Sequence, residues 1–208
     1  MKQSNLLLLL ILGIFTFTLS SCSDDDNETL PGEVKDITFI NATSYSDWVY
    51  FSFEKGKVVD VTDFKNDTSW DIAFHRGDVR LNGGESGKGQ GAVINTENKE
   101  WSKVTEATKT GYVTDKIGTI TTSFTGSNVT TADEPFSQTL TGWMTVDTSD
   151  PVGNNGPKYI INNWIYVVKT ADGEYVKLWI YDNKSEKNSA GYFSFKYQYN
   201  KSGTTSFE

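Results

Sequence analysis

The chain has 208 residues, a formal net charge of −8, 37% hydrophobic residues and 22% charged ones. That length holds one domain or two small ones around a substantial core, and 6 Trp, 10 Tyr and 12 Phe supply burial that disordered chains lack. The acidic balance, with no Lys/Arg cluster, excludes nucleic acid as a partner, because phosphates demand a basic face; composition equally excludes collagen-like, coiled-coil and multi-span membrane chains.

Lys2 and the apolar run 6–17 have the layout of an export signal, the run being too short to span a bilayer comfortably. It ends in Leu19-Ser20-Ser21-Cys22, which resembles a bacterial lipobox, where the cysteine is diacylated and the preceding peptide removed. Cys22 is the single cysteine, so no intramolecular disulfide forms, and lipid attachment accounts for it better than a reactive thiol does. Residues 1–21 are therefore expected to be a signal peptide and 22–32 the lipidated Cys22 with an acidic linker. Ser23-Asp24-Asp25-Asp26-Asn27-Glu28 repels itself into an extended form and resembles the surface-export signal of Bacteroidota lipoproteins. The expected location is the outer membrane, lipid-anchored and facing outward.

Residues 33–208 read as one all-β domain. Expected strands follow at 34–40 and at 48–53, the latter apolar on both faces; a Glu54-Lys55-Gly56-Lys57 turn then leads into 58–61. Next come 69–74, where alternation sets Asp71, Ala73 and His75 against Trp70, Ile72 and Phe74, then 118–124 and 140–146. Strands at 164–168 and 175–181 pair across Ala171-Asp172-Gly173, an Asp-Gly turn that needs a positive φ. Last, 193–199 alternates Phe193, Phe195, Tyr197 and Tyr199 with Ser194, Lys196 and Gln198, one aromatic face and one wet face. About ten short strands predict a single antiparallel sandwich or barrel-like domain. The glycine-dense segment 82–91 and the segment 147–158 read as loops.

Catalytic patterns are thin. Asn82-Gly83-Gly84-Glu85-Ser86-Gly87-Lys88-Gly89 mimics a phosphate loop but has Asn82 where the first glycine belongs and Gly89 where the hydroxyl belongs. It reads instead as a connection between strands that is flexible or has unusual φ angles. His75, the single histidine, is the sole base available to a triad; a strand histidine bonded to a neighbouring carboxylate is the favoured account of it. Zinc finds too few ligands, and a carboxylate pair for glycoside cleavage is not legible from spacing.

Trp70-Asp71-Ile72-Ala73-Phe74-His75-Arg76-Gly77-Asp78-Val79-Arg80, followed by Asn82-Gly83-Gly84 and Gly87-Lys88-Gly89-Gln90-Gly91, resembles the signature of the HmuY-like haemophores. Gly142-Trp143 and the hairpin from Tyr166 to Leu178 resemble it too, so the likeness runs from about residue 37 to 199. It implies an all-β, non-enzymatic surface protein that captures haem and delivers it to an outer-membrane receptor. In that family a His pair or a Met pair from loops holds the iron, as haem chemistry allows. Here there are one His and, once Met1 is removed, one Met, so neither pair exists. Met144 lies where the resemblance puts one ligand, though a methionine also fills space among core aromatics. A partner oxygen would come from a tyrosine such as Tyr112 or Tyr159. Trp143 and Trp164 either line a porphyrin face or belong to the core. The alternatives are a relative without haem ligands that binds another tetrapyrrole or a siderophore, and a glycan-binding or glycan-processing lipoprotein.

Overall fold

The computed structural model describes residues 32–147, 149, 158–201 and 203–208. The expected signal peptide, Cys22 and nearly all of the acidic linker lie outside the described residues, as does most of the 147–158 loop. Among the described residues the strands are β1 (Val34–Asn41), β2 (Val49–Ser52), β3 (Lys57–Val59), β4 (Ile72–His75), β5 (Asp78–Leu81), β6 (Ala92–Asn95), β7 (Lys116–Thr125), β8 (Asn128–Phe136), β9 (Met144–Asp147), β10 (Lys158–Ile161), β11 (Ile165–Lys169), β12 (Tyr175–Lys184) and β13 (Ala190–Asn200). They form a five-stranded sheet, β1-β13-β12-β11-β6, a four-stranded sheet, β3-β2-β4-β5, and two separate pairs, β7-β8 and β9-β10. Every pairing is antiparallel.

The two larger sheets share one core. Phe51, Phe53, Ile72 and Phe74 from the smaller sheet meet Phe193, Phe195 and Tyr197 from the larger, all of them buried. Phe51 and Phe195 pack edge-on at 5.2 Å, and Phe74 lies 4.5 Å from Phe193. Rings of this size each contribute about 1.5–3 kcal/mol on full burial. Polar ties fix the sandwich: Tyr197 Oη donates to the Phe53 carbonyl at 3.0 Å, and the buried Asp71 carboxylate accepts from Phe53 N at 2.8 Å and Ala171 N at 3.0 Å. The expected turns form with Gly56 at φ +64 and Gly173 at φ +87.

Several expectations need correction. The strand expected at 140–146 begins only at Met144, because Ser137 caps a helical turn, α1 (Gln138–Thr141), by accepting from Leu140 N at 3.2 Å. The strand expected at 69–74 begins at Ile72, although Asp71 N still donates to the Phe51 carbonyl at 2.9 Å. The wet face of β13 is largely dry: Ser194 and Gln198 are buried, Gln198 against Phe207 of a second cluster of Val104, Ala107, Ile165, Val167 and Phe207. Gln198 Nε2 donates to the Phe207 carbonyl at 3.1 Å, so its amide stays satisfied. In β1 the register breaks between Ile37 and Ile40; Phe39 there takes φ +60 and its N–H donates to Ser194 Oγ at 3.2 Å.

The glycine-dense segment is packed rather than loose. Buried Asn82 donates from Nδ2 to the carbonyls of Asp67 (2.8 Å) and Trp70 (3.0 Å) and accepts from Gly89 N (3.2 Å). A Cβ on Gly83 would lie 2.1 Å from the Gly91 carbonyl oxygen, and one on Gly91 2.5 Å from that of Asn82. Here glycine permits two backbones to approach, which is also a sufficient account of the motif.

Candidate functional site

Two hairpins extend from the sandwich. β7 and β8 are joined through Thr125 and Asn128, and most of their residues are exposed on both faces. Near the turn, Phe124 is 57% exposed and Val129 53%. β9 and β10 present Val146, Tyr159 and Ile160 to solvent in the same way. Isolated apolar side chains on a surface need no explanation, but a convergent group does. Phe124, Val129, Val146 and Tyr159 converge on a cleft of about 410 Å³, within the size range of small-molecule and cofactor sites.

Six parts of the chain build it. Tyr45 and Phe124 stack at 6.4 Å with their planes 21° apart, so the β7-β8 tip meets the segment after β1. Arg76, Gly77 and Asp78 come from the β4-β5 turn, Thr141 and Met144 from α1 and the start of β9, Val146 and Tyr159 from the β9-β10 pair, and Asn183, Ala190 and Gly191 from β12 and β13. The Met144 sulfur accepts a hydrogen bond from Asn183 Nδ2 at 3.3 Å, which orients the thioether through one of its lone pairs. Its methyl lies against Gly77, where an added Cβ would come within 3.2 Å of Met144 Cε. A larger residue at 77 would displace the methionine.

Two of the four expected binding residues, Met144 and Tyr159, thus share one cleft. The other two do not join them. Trp143 is 1% exposed; it packs against Phe193 at 5.1 Å and donates from Nε1 to the Gly77 carbonyl at 3.1 Å, supporting the turn from behind. Tyr112 sits 6.0 Å from Tyr175 with Lys169 Nζ over its ring at 4.8 Å, against the second cluster and off the cleft lining. Burial pushes its hydroxyl up to about 12, so it stays protonated at neutral pH. Trp164 packs at the edge of the main core, under Lys99.

His75 is buried, stacked 5.0 Å from Trp48, with Nδ1 3.6 Å from Asp78 Oδ2. Its carboxylate neighbour is therefore Asp78 across the β4-β5 turn, at ion-pair distance and beyond hydrogen-bond length. Beside it, buried Arg80 lies 3.6 Å from the Trp48 ring and pairs with Glu134 of β8 at 2.6 Å, docking the β7-β8 arm on the smaller sheet. Asp115, just before β7, accepts from Leu81 N at 2.8 Å and Ser86 Oγ at 2.6 Å; burial pushes its carboxyl up to about 7. Among the described residues no three His, Cys, Asp or Glu side chains converge to hold a bare metal ion.

Sequence reasoning missed Tyr45, Arg76, Phe124 and Val129. The signal for the last two was a pair of large apolar residues in an otherwise Thr-rich, polar stretch.

A family model described as HmuY protein matches residues 44–197. Among solved structures, a candidate HmuY-like haem-binding protein from Bacteroides vulgatus ATCC 8482 is 30% identical, with a TM-score of 0.64, covering 79% of this chain and 90% of that one. The apo HmuY analog of Tannerella forsythia is 25% identical, with a TM-score of 0.61, covering 85% and 99%. A candidate lipoprotein from Bacteroides fragilis NCTC 9343, 23% identical, shares the fold with a TM-score of 0.62, covering 83% and 90%. None of the curated proteins matches significantly.

Proposed function

The chain belongs to the HmuY family, and we propose that it captures haem in the cleft between its two arms and passes it to an outer-membrane receptor. The observation that carries this reading is the meeting of Met144 and Tyr159, from opposite strands of the β9-β10 pair, with the apolar Tyr45–Phe124 wall. A thioether is a recognised axial ligand of haem iron, and the sulfur keeps a second lone pair for it beyond the Asn183 hydrogen bond. Tyr159 offers a phenol oxygen on the same lining. Tyr45, Phe124, Val129 and Val146 offer apolar surface to the porphyrin face, whose burial drives binding. Ligation of the iron is reversible and the tetrapyrrole itself is not chemically altered, so the role is carriage. Lipid on Cys22, after removal of residues 1–21, would hold the domain of residues 33–208 at the outer surface, where a receptor could unload it.

Haem titration of the purified protein tests the reading. We expect a Soret shift that saturates at one equivalent. The Met144→Ala variant should keep its β-type circular dichroism and bind about tenfold more weakly, the scale of one lost interaction of about 1.4 kcal/mol. A flat difference spectrum for the wild type would overturn haem as cargo; unchanged binding in Met144→Ala would remove the methionine as ligand.

A further inference from the structure

The cleft of this acidic molecule contains a cation held in a strained backbone. His75 and Asp78 pair across the β4-β5 turn, leaving Arg76 and Gly77 as a two-residue loop. Arg76, at its first position, takes φ +55, a conformation open to glycine and resisted by an L side chain. Glycine stands at the next position, where φ is not left-handed. Exchanging the two would relieve the strain, yet the arginine occupies the strained place, and strain kept at a binding site points to a role there.

The guanidinium is aimed without being neutralised. Arg76 Nη1 donates to the Thr43 carbonyl at 2.9 Å, and the guanidinium carbon lies 4.2 Å from the Tyr45 ring centroid. Ion pairs among the described residues join Arg80 to Glu134 and Lys201 to Glu54, His75 lies 3.6 Å from Asp78, and none of these contacts involves Arg76. Asp78, also on the lining, turns its carboxylate toward His75. Arg76 therefore presents a planar fork of donors beside apolar walls, the arrangement that receives a carboxylate bidentately.

We infer that Arg76 is the carboxylate-binding residue of the cleft and makes it select tetrapyrroles with free propionates over their esters. The inference rests on the haem reading and adds its specificity. Haemin and haemin dimethyl ester, dispersed in the same dilute non-ionic detergent, differ in that charge while sharing iron and ring. The wild type should bind haemin about tenfold or more tightly than the ester, as a charge-assisted hydrogen bond allows. Arg76→Gln and Arg76→Gly should abolish that preference, lowering haemin affinity far more than ester affinity. Arg76→Gly should also keep its β-type circular dichroism, since glycine suits the backbone. A wild type that binds both alike, variants that keep the preference, or variants that weaken both ligands equally would each overturn the inference, the last showing that Arg76 only braces the turn. A wild type that binds neither compound would fail the haem reading itself, and this inference with it.

Discussion

The sandwich and the two arms are made of the same antiparallel strands and treat their aromatic residues in opposite ways. Phe51, Phe53, Phe74, Phe193 and Phe195 are enclosed between two sheets, whereas Phe124, Val129, Val146 and Tyr159 stand at least 41% exposed around the cleft. In the first region apolar area is already removed from water and its free energy stabilises the fold. In the second it remains in water, available to whatever ligand covers it. Folding and binding are thereby assigned to different residues, so each can be altered with little effect on the other.

The comparison breaks most readily in the core. Phe195→Ala, at the centre of the sandwich, should cost about 3–5 kcal/mol in urea unfolding through lost burial and the cavity left behind; a loss below about 1 kcal/mol would show that the sheets collapse around the gap. Asp115 sharpens the comparison at the root of an arm. Below about pH 4 its carboxyl is protonated in folded and unfolded chains alike. As pH rises from there to about 7, the unfolded chain releases the proton that the folded chain holds, so stability falls across that window and stays lower above it. Asp115→Asn should remove this fall and raise stability at pH 8 by on the order of 2 kcal/mol, measured as unfolding free energy against pH; an unaltered pH slope would contradict burial as the cause. The smallest effect on folding belongs to the arm tip. Phe124→Ser should change stability by no more than about 0.5 kcal/mol, while haem affinity in the titration falls severalfold. A large loss of stability there would mean that the stack on Tyr45 holds the arm in place.

The same division governed what could be read in the sequence. β13 and the β11-β12 hairpin were legible because aromatic alternation and an Asp-Gly turn act locally. β8 was not: Asn128-Val129-Thr130-Thr131-Ala132-Asp133-Glu134 has no buried face over most of its length, so the rule that finds half-buried strands had nothing to detect. β6 and β10 were too short to alternate clearly, and β5 was absorbed into the motif read around it. Of the site, Met144 could be reached by counting rare haem ligands, and Tyr159 was one choice among ten tyrosines. Arg76 lay inside the quoted motif, but neither its left-handed φ nor its lack of an ion-pair partner is a property of sequence. Trp143 could be read as a porphyrin wall or as core, and packing puts it in the core, supporting Gly77 from behind.

The break in β1 bears on how copies of the molecule behave together. β1 ends the five-stranded order, and the outer edge of such a strand is a template on which another chain can zip up. Here the regular run Val34 to Ile37 gives way to a left-handed Phe39 before pairing resumes at Ile40. A straight incoming strand would lose step with the donors and acceptors after those four residues. The bulge thus opposes edge-to-edge stitching and fibre growth where many copies are crowded side by side.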